Sequence, residues 1–147
     1  KSKTFGPYDN FYYKSHSKND YCFTYKNDTA YYINQSGKET GPYTRCYNQY
    51  QENGTNCHYC YINDNRVVVF NHKQYPVLSH AYLLTLKTSD DGKHILIADN
   101  GNYLLSIDGK ELNDHYGFAY YYDKELDSFI WLTVKERNIY YNQYKLK

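Results

Sequence analysis

Three apolar runs end at Ile33, Phe70 and Ile107, each 37 residues after the last, and a fourth ends near Asn142, 35 residues further on. A period of this size marks a chain built from copies of one supersecondary unit, which needs its neighbours to cover its apolar faces. The tripeptides Gly6-Pro7-Tyr8 and Gly41-Pro42-Tyr43 recur 35 residues apart and support the same rhythm. The copies occupy approximately residues 4–39, 40–75, 76–112 and 113–147 of a single β-repeat domain. The last of them fits the rhythm least well.

Each copy offers three strand candidates. In the second they are Tyr43–Tyr50, Cys57–Asn63 and Arg66–Asn71. In the third they are Tyr82–Lys87, His94–Ala98 and Tyr103–Ile107, and in the fourth Phe118–Tyr122, Phe129–Val134 and Asn138–Asn142. In the first copy the clear runs are Tyr21–Tyr25 and Tyr31-Tyr32-Ile33. The runs are short, β-branched and aromatic, with Gly, Asn or Asp between them, and no segment holds a helical period. Asn53-Gly54 and Asp91-Gly92 suit hairpin turns because these residues tolerate positive φ. The chain is therefore expected to be all-β. Val67 to Phe70 and Ile95 to Ala98 are apolar on both faces, so these strands want cover on both sides, as sheets stacked face to face supply.

The stretch Ser89-Asp90-Asp91-Gly92-Lys93, the Asp108-Gly109-Lys110-Glu111 that follows, and Gly6-Pro7-Tyr8-Asp9 and Gly37–Tyr43 resemble the TolB-like and WD-repeat-like β-propeller families. Asp90 stands where the family pattern usually has Pro. The resemblance implies a β-propeller-type array of about four repeats, and such motifs mark fold rather than activity. About four units make a partial or small propeller: a partial one, either a fragment or completed by another copy, is the first expectation, a closed four-bladed ring the second, an open curved array the third.

Composition narrows the function classes. A net charge of +1 gives no field that would draw nucleic acid or an anionic membrane, and no apolar run could span a bilayer. Tyr occurs 22 times in 147 residues, and tyrosine suits a pleated surface with one apolar side and one wet rim. Tyr12, Tyr13, Tyr47, Tyr50, Tyr120 and Tyr122 are the candidates for an exposed binding surface, since Tyr loses little entropy on making contact.

Cys22, Cys46, Cys57 and Cys60 all lie in the first half. Cys57 and Cys60 sit three apart in one expected strand and point to opposite faces, so they are poorly placed to share a metal or to join each other. A hairpin around Asn53-Gly54 would bring Cys46 toward Cys57–Cys60, with Cys22 taking whichever is left; four buried thiols are the alternative. Asn27, Asn34 and Asn53 carry N-glycosylation signals at expected turns. The chain has no Met, which fits a processed product, and with paired cysteines and glycosylation signals this leans toward an extracellular or cell-surface location.

No catalytic constellation stands out. His16, His58, His72, His80, His94 and His115 are scattered, no phosphate-cradling loop is present, and Asp90-Asp91-Gly92 lacks the alternating oxygens of a calcium loop. The expectation is a non-enzymatic module without cofactor or metal that binds a protein or self-associates. A carbohydrate-binding propeller using Tyr faces and an accessory portion of a hydrolase are the alternatives.

Overall fold

Among the described residues every strand pairs antiparallel with its sequence neighbour within its sheet. The computed structural model describes residues 6–7, 9–16, 21–52, 55–78, 83–112 and 117–147, without the side chains of 11–16 and 48–52. The first sheet contains β1 (Asn10–His16), β2 (Tyr21–Asn27), β3 (Ala30–Gln35) and β4 (Lys38–Tyr43) in that order. The second contains β5 (Arg45–Glu52), β6 (Thr55–Ile62), β7 (Asn65–Phe70) and β8 (Lys73–Val77). The third contains β9 (Leu84–Thr88), β10 (Ile95–Asp99), β11 (Leu104–Ile107) and β12 (Lys110–Leu112). The fourth has, among the described residues, three strands, β13 (Gly117–Asp123), β14 (Ser128–Lys135) and β15 (Asn138–Lys145).

The all-β expectation holds, and among the described residues no α-helix occurs. The strand count differs from the sequence reading: the second and third copies carry a fourth strand after the expected three, and the first carries β1 and β4 beside the two runs named for it. β4 and β8 run across the expected boundaries at 39/40 and 75/76. These strands were hard to see because they are short and polar, Lys38–Tyr43 carrying only Tyr43 as a buried side chain. The chain divides into two compact units, Lys1–Pro76 and Val77–Lys147, each holding two sheets.

The tight hairpins explain the register. Ser36-Gly37, Asn63-Asp64, Asn71-His72, Asp108-Gly109 and Glu136-Arg137 all have positive φ at both turn positions. Two-residue turns of that kind match the right-handed twist of the flanking strands and lock the pairing. The Asn53-Gly54 turn lies outside the described residues. Asp91-Gly92 falls in a longer connection between β9 and β10 instead of a two-residue turn.

Within the first unit, Cys22, Ile33 and Tyr43 of the first sheet pack against Cys60, Val67 and Val69 of the second. Each large apolar side chain buried in this way stabilises by roughly 1.5–3 kcal/mol. Gly41 permits the turn of β4 toward this core. Its φ is +138°, and a Cβ there would meet the Tyr31 carbonyl at 2.9 Å and the Tyr32 ring at 2.8 Å. The Gly6-Pro7 and Gly41-Pro42 bonds are both cis. Within the second unit, Leu96, Ala98, Leu105 and Ile107 of the third sheet pack against Tyr120, Phe129, Trp131 and Leu146.

Candidate functional site

Among the described residues the fourth sheet leaves one edge unpaired, and the face away from its core is exposed toward the Val134–Ile139 end while Ile130 on that face is buried. β15 pairs with β14 along its whole length, from Lys135↔Asn138 to Ser128↔Lys145, and no described strand lies on its other side. The Glu136-Arg137 turn makes Lys135↔Asn138 the hydrogen-bonded closing pair, so the alternation of an antiparallel ladder turns the backbone groups of Ile139, Tyr141 and Gln143 outward. On the sheet face away from the Phe129–Trp131 core, Phe118, Leu132 and Tyr141 form one cross-strand row and Val134 and Ile139 the next. Ile139 is 67% exposed, Tyr141 55% and Val134 48%, with Phe118 and Tyr121 also exposed. A long edge strand carrying such residues is a ready template for another strand.

A β-bulge in β13 sets which aromatics reach this face. Between Phe118 and Tyr121 the strand carries an extra residue, with Ala119 at φ +54°. Simple alternation from Phe118 would put Tyr120 and Tyr122 outside; the bulge shifts the register and brings Tyr121 out instead. Tyr120 is therefore not a surface residue: it is 8% exposed in the core, and its hydroxyl donates to the Gly117 carbonyl at 2.6 Å. Tyr122 is half-buried, packs edge-on against Phe129 and donates to Asp127 at 2.7 Å. That hydrogen bond to the carboxylate, first among the causes, pushes its phenol up to about 12. Tyr47 is exposed, as expected, and meets Tyr61 edge-on at 5.8 Å. The side chains of Tyr12, Tyr13 and Tyr50 lie outside the described residues.

The cysteines resolve into one bridge and two thiols. Cys46 and Cys60 face each other across β5 and β6 and form a disulfide. Cys22 and Cys57 do not join one another, contrary to the pairing expected for the remaining two. The reason is the pleat: Cys57 projects from the face of β6 opposite to Cys60, while Cys22 packs on the Cys60 face. His58 shares that face, and its Nε2 lies 3.2 Å from Cys22 Sγ. Burial pushes the imidazole down to about 4, so it is neutral at pH 7. A thiol beside an imidazole suggests nucleophilic chemistry, but Cys22 is fully enclosed and no substrate can approach it. Among the glycosylation signals, Asn27 is exposed and Asn53 lies outside the described residues. Asn34 is buried, with its Oδ1 accepting the Gly37 amide, which leaves no room for a glycan.

The connection before β10 gathers Ser89, Asp91, His94 and Asp108. The Ser89 hydroxyl donates to Asp91 at 2.6 Å and accepts the His94 amide, while His94 Nδ1 meets Asp108 at 2.6 Å. Asp108 also accepts the Ile95 amide. The serine hydroxyl is buried and bonded to backbone and carboxylate rather than to the imidazole, so these residues tie a loop together and do not form a nucleophile–base pair. The Ser89 hydroxyl and the Lys93 amide hold the Asp91 carboxyl down to about 2. Among the described residues no His, Cys, Asp and Glu cluster could hold a metal ion, and no helix is long and apolar enough to cross a membrane.

No family model, curated protein or solved structure matches this chain.

Proposed function

We propose that this chain is a non-enzymatic β-repeat module of propeller type, extracellular or cell-surface, that works by protein–protein association, with self-association foremost. One observation carries the reading: among the described residues the fourth sheet has one strand fewer than the other three, and its unpaired edge adjoins exposed apolar residues, Val134, Ile139 and Tyr141. Strand addition at such an edge draws affinity from main-chain hydrogen bonds and specificity from alternate side chains. The Cys46–Cys60 disulfide supports an oxidising compartment. A carbohydrate partner has less to draw on, since Tyr120 and Tyr122 are engaged in packing. A hydrolase portion would need a reactive group that solvent can reach, and the Cys22–His58 and Ser89–Asp91 contacts offer none.

Ile139→Lys together with Tyr141→Lys tests the reading. Two charges on this edge should convert an associating chain to monomers at the same concentration in light scattering, with stability within about 1 kcal/mol of the parent because both positions are exposed. Unchanged association in a folded double variant, or a parent that is monomeric throughout, would contradict it.

A further inference from the structure

Three of the four cysteines share one core, the one between the two sheets of the first unit. Cys22 enters it from β2 of the first sheet and Cys60 from β6 of the second, and they are 0% and 1% exposed. Cys46, bridged to Cys60, packs against the same core from β5 and is half-buried. His58 stands two residues before Cys60 on the same face of β6, and its Nε2 lies 3.2 Å from Cys22 Sγ. Cys57, three residues before Cys60, projects from the opposite face of β6 and stays outside this core.

No outside substrate reaches Cys22, but the core already holds an electrophile. The Cys46–Cys60 disulfide shares it, and a thiol exchanges with a disulfide by attacking one of its sulfurs. Depth selects the sulfur under attack. Cys60 is enclosed in the core with Cys22, so attack there needs no opening to solvent. Cys46 is the sulfur nearer water, and a departing thiolate costs least where water can reach it. Cys57 faces the other way and cannot compete for either position.

We infer that Cys22 is the resident nucleophile of an internal thiol–disulfide exchange, which moves the bridge from Cys46–Cys60 to Cys22–Cys60 and turns Cys46 into the modifiable thiol of this chain. Cys22 Sγ attacks Cys60 Sγ, and its proton passes to His58 Nε2. The Cys22–Cys60 bond forms as the Cys46–Cys60 bond breaks. The electron pair leaves on Cys46 Sγ, which takes up the proton. One disulfide and one thiol stand on each side of the step, so it consumes no oxidant and no reductant. The two states differ in what they join and what they show. Before the exchange the bridge ties neighbouring strands of one sheet. After it the bridge ties the two sheets of the first unit together, and β5 carries a thiol that a soluble disulfide or an alkylating reagent can reach.

The folded parent is held with iodoacetamide at about pH 8.5, near the ordinary cysteine pKa. It is then denatured with N-ethylmaleimide, which caps every remaining thiol, and digested with chymotrypsin without reduction. Cleavage after Tyr47 and Tyr59 places Cys46, Cys57 and Cys60 on separate peptides. The expected map has iodoacetamide label on Cys46, a Cys22–Cys60 linked peptide in equal amount, and Cys57 carrying only N-ethylmaleimide. Cys22→Ser should lower the Cys46 label by about tenfold or more, because the attacking sulfur is gone. The map of the parent decides the pairing by itself should that variant fold poorly. A folded parent that keeps its Cys46–Cys60 peptide and takes no label on Cys46 would overturn the inference. Iodoacetamide on Cys57 in step with Cys46 would also overturn it, since the unit would then be opening as a whole. A Cys22–Cys60 bridge confined to covalent dimers would do the same.

Discussion

Lowering the pH from 7 to 4.5 is expected to remove roughly 2–3 kcal/mol of folding stability through His58 alone. The folded imidazole titrates near 4 because burial disfavours its charged form, against 6.5 for the unfolded chain. Above pH 6.5 both states are neutral and the group contributes no pH dependence. Between 6.5 and 4 the unfolded chain binds a proton that the folded chain refuses, so stability falls as pH falls through this window. Below 4 both states are charged and the loss levels off. Urea unfolding followed by far-ultraviolet circular dichroism should show this slope in the parent, and His58→Gln should flatten it while lowering stability at pH 7 by loss of the Cys22 contact. The same slope in parent and variant would show that His58 is not held neutral between the sheets of the first unit.

Removing the Cys46–Cys60 disulfide should cost about 3 kcal/mol, the loop-closure value for a bridge of this span. The two cysteines are 14 residues apart and already opposite each other in the β5–β6 register. The bridge therefore acts mainly by restricting the unfolded chain, and the folded pairing survives its loss. Cys46→Ala with Cys60→Ala should unfold at lower urea with little change in slope, and thiol titration of the denatured parent should find two reactive groups, Cys22 and Cys57. Four reactive thiols, or an unchanged midpoint in the double variant, would contradict the pairing.

The repeat was legible because its third strands are apolar and evenly spaced, as at Ile33, Phe70 and Ile107. The fourth strands were not, because Lys73–Val77 and Lys110–Leu112 are too short and polar to show a period of two. Turns at Asn71-His72 and Glu136-Arg137 gave no glycine signal, although the backbone takes positive φ at both residues of each. The exposed aromatics were misplaced for a separate reason. Alternation names Tyr120 and Tyr122, and one extra residue in β13, invisible to any alternation rule, substitutes Tyr121. The Cys22–His58 contact joins strands of different sheets 36 positions apart, and only their packing reveals it.

The account turns on the outer edge of β15 being the place where another strand adds. Amide hydrogen exchange at Ile139, Tyr141 and Gln143, followed from dilute to concentrated protein, tests this directly. Protection that rises with concentration at these three amides, while the β14-facing amides of Tyr140 and Asn142 stay protected throughout, is the predicted result. Exchange at Ile139, Tyr141 and Gln143 that stays fast while the protein associates would place the interface elsewhere and contradict the account.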